Sequence, residues 1–461
     1  MTLISSISGT RGTIGGKPGS NLTPIDAVNF AAAFSTFIIQ QSRKENPTVV
    51  IGRDARPSGG WLSDIVSATL QASGVNVIDL GLSTTPTVEI AVPGLKADGG
   101  IILTASHNPV EWNALKLLNS KGEFISADQG KDLLNTITQA DFDFPDVSKT
   151  GSYSKQDGWI EKHVDQILAY ALIDVEGIRN ANLKVAVDPV NSTGGLAIPV
   201  LLEKLGVKQV EMINGDVSGN FAHNPEPLKE HLIEISEKVV EQNCDLGIVV
   251  DPDVDRLALI SENGEMFGEE YTLVAIADYY MKNKAGATVS NLSSSRALRD
   301  VTEQAGQVYS ASAVGEVNVV VEMKAKNAVI GGEGNGGIIV PDLHYGRDSL
   351  AGIALFLSHY VHEGKKMSEM RAGYPNYEMA KNKIALNPGM NPDDLIEKMK
   401  ARYANENVNT IDGLKIDFSD EWVHLRKSNT EPIIRIYTES KSKDAAEALA
   451  KRIENELSSM I

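Results

Sequence analysis

Thr104-Ala105-Ser106-His107-Asn108-Pro109 follows directly on the apolar run Ile101-Ile102-Leu103. The run reads as a buried strand and Asn108-Pro109 forces a turn, so Ser106 is expected to sit exposed at the strand's C-terminal end. In parallel α/β sheets that end is where ligands bind. A hydroxyl there serves as a nucleophile, as a phosphate carrier or as an ordinary turn residue, since Ser and Asn are common in turns. The company it keeps along the chain decides among these.

Outward from this stretch one pattern repeats. Thr48 to Gly52 and Val75 to Leu80 read as strands, Trp61 to Ala72 as a helix between them, and Gly100 to Leu103 as a third strand. The alternation returns over Leu183 to Val187, Gly194 to Leu205, Val207 to Ile213, Leu228 to Glu241 and Leu246 to Val250. It returns again over Ala287 to Asn291, Ser295 to Ala305, Val308 to Ser310, Val314 to Ala325 and Ala328 to Gly331. Three consecutive α/β domains with mainly parallel sheets are expected. The last stretch departs from the theme. A helix from Asp393 to Ala404, a turn at Asp412-Gly413, two strands flanking Ser428 to Pro432 and a helix from Lys443 to Leu457 predict a smaller C-terminal α+β domain. Polar linkers at Asp141 to Ser154 and Arg371 to Pro375, with a hairpin signal at Asn263-Gly264, divide the chain into 1–150, 151–263, 264–372 and 373–461.

Composition bounds the function. The 461 residues are 42% hydrophobic and 23% charged, and a net charge of −18 argues against nucleic acid as a main partner. The single cysteine, Cys244, excludes an internal disulfide framework and reads as a buried small hydrophobe. Met1-Thr2-Leu3-Ile4 is too short and uncharged for a signal peptide, and no apolar run reaches the ~18 residues of a membrane span, although Ala27 to Ile39 reads as a buried helix. A soluble, cytoplasmic protein without a membrane partner is expected.

Asp251-Pro252-Asp253-Val254-Asp255-Arg256 is the second informative stretch. Three carboxylates at spacing two point to one side of an extended segment, a hard oxygen-rich site suited to Mg²⁺ or another small divalent ion. Apolar flanks, Ile248-Val249-Val250 and Leu257-Ala258-Leu259, argue against an exposed acidic turn, because buried carboxylates need pairing or metal. An EF-hand loop is excluded, since Arg256 occupies the position that must be Gly and the flanks read as strands.

Two further loops carry candidates. In Gly331-Gly332-Glu333-Gly334-Asn335-Gly336-Gly337 the glycines let backbone approach a ligand, while Glu333 and Asn335 can bind hydroxyls or an amine. No Gly-Lys-Ser/Thr follows, so it is not a P-loop. Arg426-Lys427-Ser428-Asn429-Thr430-Glu431-Pro432, with Arg435 beyond it, offers a phosphate cradle or a solvated turn. Gly9-Thr10-Arg11-Gly12 is a flexible loop with one cation.

Taken together, Gly9 to Gly12, Thr104 to Pro109, Asp251 to Arg256, Gly332 to Gly337 and Arg426 to Arg435 resemble, in order and spacing, the α-D-phosphohexomutases. The resemblance covers essentially the whole chain. It implies a four-domain, heart-shaped fold around one cleft to which each domain gives a loop, with the Gly373/Pro375 linker as a hinge for a mobile fourth domain.

The resemblance also implies roles. Ser106 would carry the phosphoryl group; Asp251, Asp253 and Asp255, with Ser106, would hold one Mg²⁺ per chain. Arg11, Lys116 and Arg256 would surround the transferred group. Arg426, Ser428, Asn429, Thr430 and Arg435 would hold the other phosphate, and Glu333 and Asn335 would meet the sugar. His107 is counted among the catalytic candidates; because neighbours on an extended segment face opposite ways, a Ser–His dyad is not expected.

The reaction implied exchanges hexose 1-phosphate and 6-phosphate through phosphoserine and a 1,6-bisphosphate, which also serves as activator, in a monomer or homodimer. Many members have Ser and His where Asn335 and Gly337 stand, leaving Lys116 or a water as proton acceptor. With Val314-Gly315-Glu316-Val317, the loop is similar to a subgroup assigned to glucosamine phosphates; mannose and glucose phosphates are the alternative. A Mg²⁺-dependent sugar phosphatase and a silent sugar-phosphate sensor are the readings from other classes.

Overall fold

The computed structural model describes residues 2–6, 9–387, 389–428 and 432–460. The chain forms two compact units, residues 1–272 with 335–368, and residues 273–334 with 369–461.

The first unit contains two sheets. The larger has seven strands in the order Ile4–Ser6, Gly9–Thr13, Trp112–Leu118, Gly99–Leu103, Thr48–Arg53, Asn76–Leu82, Tyr153–Lys155. The last four are mutually parallel, and the first three join antiparallel. This sheet is therefore mixed, while the pairings of the three α/β domains taken together are mainly parallel, as expected. After the serine stretch the chain turns back directly along Gly99–Leu103 as Trp112–Leu118, a return that needs no crossover helix.

The apolar runs are continuous because both faces of this sheet are covered. Ile101, Leu103, Val49 and Ile51 face one way and pack with Phe34, Ile38, Leu62, Val66 and Leu70 of helices Pro24–Ser42 and Gly59–Ala72. Ile102 and Val50 alternate to the other side and meet Val88, Val92 and Trp159. Val88 and Val92 belong to a helix, Thr85–Gly94, that sequence reading passed over. Its prolines disguise it: Pro86 sits in the first turn, where its missing N–H costs nothing, and Thr84 caps the end by accepting from the Thr87 N–H.

The second sheet runs Leu257–Ser261, Leu246–Val250, Lys184–Asp188, Gln209–Met212, with only the first pair antiparallel. Residues 335–368 return to this unit as helix Ser349–Glu363. Leu350, Ala351, Ile353, Ala354, Leu355, Phe356 and Leu357 are all buried, so the helix shows no amphipathic period, which is why pattern reading missed it.

In the second unit Thr288–Asn291 lies between Tyr309–Ser312 and Ile330–Glu333, all parallel. The C-terminal part is an antiparallel sheet, Glu378–Ala385, Ile433–Ser440, Trp422–Lys427, Leu414–Asp417, Asn407–Asn409, covered by helices Pro392–Arg402 and Lys443–Ser458. It is the α+β domain expected. The buried Arg296 ties the two parts of this unit together. Its backbone N–H donates to Glu439 Oε1 and its guanidinium reaches Asp417 Oδ1 at 3.0 Å and the carbonyls of Phe418, Ser419 and Glu421. Among the described residues no helix is long and apolar enough to cross a membrane.

Candidate active site

Chemistry-bearing residues of the first unit collect where strands of its two sheets end. Strand Gly99–Leu103 leads to Ser106, Thr48–Arg53 to Asp54 and Arg56, Asn76–Leu82 to Thr85, and Leu246–Val250 to Asp251. This is the edge at which parallel strands leave outward-pointing loops for a ligand.

The serine loop is built from beneath. Arg56 is 1% exposed. Its Nε donates to Asp54 Oδ2, Nη2 to the carbonyls of Ser106 and Asn108 at 2.6 Å each, and Nη1 to those of Pro109 and Trp112 at 2.5 and 3.0 Å. Thr104 Oγ1 donates to Asp54 Oδ2 at 2.6 Å and accepts from the Ser106 N–H at 3.0 Å. Only a guanidinium offers so many diverging donors in one plane. Ser106 is left with φ +49°, a left-handed conformation that a non-glycine residue adopts at some cost.

Two expectations are corrected here. Ser106 is 7% exposed, not open to solvent, because the aspartate loop lies against it and its Oγ donates to Asp251 Oδ2 at 2.6 Å. The segment is also not extended: the turn at Ser106 brings its Oγ to 3.4 Å from His107 Nδ1. That contact is no hydrolase dyad. Burial, and then Arg256, Arg347 and Arg11, hold the His107 pKa down to about 2, so the ring is neutral and a poor base.

Asp251, Asp253 and Asp255 are fully buried, and one oxygen of each lies within 4.8 Å of the others. They converge through a turn, not along an extended segment. The Val254 N–H donates to the Asp251 carbonyl, and the Asp255 and Arg256 N–H groups both donate to Asp251 Oδ1 at 3.1 Å. Val254, β-branched and buried, pays for this with φ +64°. Ser192 Oγ clamps the two loops together, accepting from the Ala55 N–H and donating to the Pro252 carbonyl.

Counter-charges surround the triad. Lys116 Nζ lies 2.7 Å from Asp253 Oδ2 and 3.5 Å from Asp255 Oδ2, and Arg347 Nη2 lies 2.7 Å from Asp255 Oδ2. Thr85 Oγ1 donates to Asp253 Oδ2 at 2.6 Å. Burial alone would lower the Lys116 pKa, but Asp253 and Asp255 outweigh it and hold the ammonium charged. Burial and the neighbouring Asp255 and Asp253 push Asp251 well above the usual carboxylate range, while Lys116 more than offsets burial at Asp253 and holds it below. Despite these partners Asp253 Oδ1 and Asp255 Oδ1 are buried without a hydrogen bond. Unpaired carboxylate oxygens in a dry, converging set fit a small hard cation, so the triad could hold a metal.

The other candidates fall in two groups. In the first unit Arg256 Nη1 lies 3.4 Å from Glu226 Oε1, which is 3.9 Å from His107 Nε2. Arg11 is opposite Ala114 in the strand pair that sets Gly9 opposite Lys116. Asn335 Oδ1 accepts from the Gly337 N–H, and the Gly336 carbonyl accepts from the Leu257 N–H, which seats this loop beside the aspartate turn. In the second unit Glu333 is 5% exposed, its Oε1 accepting from Asn291 Nδ2 at 2.9 Å and the Gly315 N–H at 3.2 Å. Glu316, which follows Gly315 in the chain, is also buried. Arg426 pairs with Asp412 at 2.9 Å and is the cross-strand neighbour of Arg435, while the Ser428 N–H donates to the Ile433 carbonyl. Asn429 and Thr430 lie outside the described residues.

Asp54, Arg56, Thr85, Glu226 and Arg347 escaped sequence reading. A signal existed for the first two: Arg53-Asp54-Ala55-Arg56 puts charge directly after an apolar strand, where buried charges need a task.

Matches to known proteins agree with this geometry. The phosphoglucomutase/phosphomannomutase alpha/beta/alpha domains I, II and III match residues 4–144, 161–264 and 268–377, and the C-terminal domain of that family matches 383–456. A Thermococcus kodakarensis protein named phosphoglucomutase/phosphomannomutase is 35% identical over 441 residues, 94% of this chain and 95% of its own. A Sulfurisphaera tokodaii phosphoglucosamine/phosphogalactosamine mutase is 32% identical over 460 residues, 98% of each chain. The solved structure of a phosphoglucomutase/phosphomannomutase family protein from Burkholderia thailandensis is similar with a TM-score of 0.85 at 26% identity, covering 100% of this chain and 98% of that one. The chain belongs to the α-D-phosphohexomutase family. It is an intramolecular phosphotransferase, a mutase of the phosphohexomutase class.

Arg56→Leu should destabilise the protein by about 3–5 kcal/mol, because Asp54 is left as an unpaired buried charge and the loop carbonyls lose their donors. Hydrogen exchange across residues 104–112 should rise with it. Unchanged protection there would contradict the bracing role of Arg56.

Proposed function

We propose that the protein interconverts hexose 1-phosphate and hexose 6-phosphate by way of phospho-Ser106 and a sugar 1,6-bisphosphate, with glucosamine phosphate as substrate. The observation that carries the reading is the Ser106 hydroxyl 2.6 Å from Asp251, beside two carboxylate oxygens that lack hydrogen bonds. A hydroxyl so placed is a phosphoryl carrier next to a cation site. Asp251, Asp253 and Asp255, joined by the phosphorylated Ser106, would hold one Mg²⁺, whose charge would offset that on the phosphoryl oxygens.

The chain's own groups divide the remaining work. Lys116, kept cationic by Asp253 and Asp255, and Arg256 and Arg11, which with burial keep His107 neutral, supply positive charge where the phosphoryl oxygens would lie. In this reading Lys116 is a charge stabiliser and a water is the proton acceptor. The P–O bond of phospho-Ser106 breaks as a bond forms to the sugar hydroxyl, which gives up its proton; the return transfer restores Ser106 after the sugar has turned over. In this reading residues 1–150 carry the serine, 151–263 the triad, 264–372 the sugar loop with Glu333 and Asn335, and 373–461 the grip on the idle phosphate. That grip consists of Arg426, Ser428 and Arg435, with Asn429 and Thr430. A trace of hexose 1,6-bisphosphate primes Ser106.

The amino sugar is favoured by Glu333, a buried carboxylate whose direction is fixed by Asn291 and Gly315 and which suits an ammonium group. The name of the S. tokodaii relative points the same way, whereas that of the T. kodakarensis relative supports glucose and mannose phosphates as the alternative.

The test is ³¹P NMR of purified protein with Mg²⁺ and a trace of hexose 1,6-bisphosphate, offering glucosamine, mannose and glucose 1-phosphates separately. Conversion to the 6-phosphate fastest with glucosamine is expected, and none with Ser106→Ala. Release of inorganic phosphate alone would replace the proposal with a phosphatase, and no change with a sensor. Arg426→Ala should raise KM roughly tenfold or more, from loss of a charge-assisted contact, and equally for all three sugars. A rise confined to one sugar would mean that Arg426 reads the sugar and not the phosphate.

A further inference from the structure

Arg347 stands at the triad although no sequence pattern marks it, and a distinct feature of the fold flanks it on either side. The first is a buried array of four titratable side chains. His163 Nε2 lies 2.9 Å and His344 Nε2 3.3 Å from the same oxygen of Asp348, Oδ2. Behind them Thr87 Oγ1 lies 3.0 Å from His163 Nδ1, and Glu89 Oε2 lies 3.3 Å from His344 Nδ1. Asp348 Oδ1 meanwhile caps helix Ser349–Glu363 by accepting from the Leu350 and Ala351 N–H groups. Both oxygens of Asp348, the residue next to Arg347, are therefore fixed from several directions. Because Thr87 and Glu89 sit on the helix whose Thr85 bonds Asp253, the array braces that contact as well.

The second feature is Gly337. A Cβ added there would fall 2.3 Å from Arg347 Cδ and 3.1 Å from its Cγ. Its hydrogen-only side chain is what lets the arginine stem pass toward Asp255.

We propose that Arg347 is a built-in counter-ion of the acidic triad, aimed by the Glu89–His344–Asp348–His163 array on one side and admitted by Gly337 on the other, and that it sets how tightly the triad holds a divalent cation. The inference rests on the triad being a cation site, as proposed above. Physically, the guanidinium occupies Asp255 Oδ2, an oxygen that an incoming cation would share, and adds positive charge beside it. It keeps the three carboxylates tolerable without metal and weakens the metal when it comes. Arg347 is in this sense a tuning residue, and His344, Asp348 and Gly337 are positioning residues that act through it.

The test is Mn²⁺ binding to the full-length protein, followed by electron paramagnetic resonance, with thermal unfolding measured alongside. Arg347→Met should tighten the Mn²⁺ Kd about three- to tenfold, and Arg347→Lys, which keeps the charge, should stay near wild type. His344→Leu and Gly337→Ala should shift Kd in the same direction, and neither should shift it further once Arg347 is Met. That lack of additivity separates positioning from plain structural support, which would lower the unfolding temperature and leave Kd alone. An unchanged Kd in Arg347→Met, or effects that simply add, would overturn the proposal. If wild type binds Mn²⁺ no better than Asp253→Asn, the cation reading of the triad itself fails and this inference with it. The three ligand atoms of His163, His344 and Asp348 lie within 4.8 Å of one another, so a transition metal recovered from wild type but not from His163→Ala would show a second metal site there and would also overturn the positioning role.

Discussion

Three carboxylates on one turn, with no exposure to water, are the constraint around which the first unit is arranged. Burying even one unpaired carboxylate is prohibitive, and mutual repulsion makes three worse. The structure answers with partners drawn from distant parts of the chain: Lys116 from the strand that returns from the serine loop, Thr85 from a helix start, Arg347 from just before another helix, and Ser106 itself. The partners leave two oxygens without hydrogen bonds, and a site built for structure alone would have satisfied them. The strained backbones of Ser106 and Val254 belong to the same construction, since they lie in the two loops that the Ser106–Asp251 hydrogen bond joins.

The burial of these charges also explains what could be read in the sequence and what could not. Ser106 and the three aspartates announced themselves because each loop is short, follows an apolar strand and carries its chemistry within six residues. The repeating strands and helices were legible for the same reason: Gly194–Leu205 and Leu246–Val250 have the boundaries expected, and the two C-terminal helices shift by only a residue or two, whereas only the two strands flanking Ser428 to Pro432 are expected of the five in that sheet. Helices Thr85–Gly94 and Ser349–Glu363 were lost, one behind its prolines and the other because an evenly buried helix has no periodic face. Arg347 was lost because a charge buried by tertiary contacts looks, in sequence, like any surface charge, whereas Arg56 left a trace in the charges that follow an apolar strand. Local pattern and fold differ at two places: the sequence reads as extended at both Ser106 and the aspartate stretch, whereas turns bring Ser106 close to His107 and draw the carboxylates together.

Gly337 joins the two levels. As a letter in a glycine-rich loop it suggests only backbone freedom, yet in the fold its bare Cα is the space through which the Arg347 stem reaches Asp255. Fold and reaction class follow from the strand-end loops, while the choice of sugar and the strength of cation binding depend on contacts of this kind, made between residues that no short motif joins.

The central claim is that Ser106 carries the phosphoryl group, and the most direct measurement is where phosphate resides during turnover. Protein incubated with Mg²⁺ and glucosamine 1,6-bisphosphate would be digested and its phosphopeptides sequenced by tandem mass spectrometry, before and after a chase with glucosamine 6-phosphate. The account predicts phosphate on Ser106 that the chase removes. Phosphate on another residue, or turnover with Ser106 never modified, would contradict it.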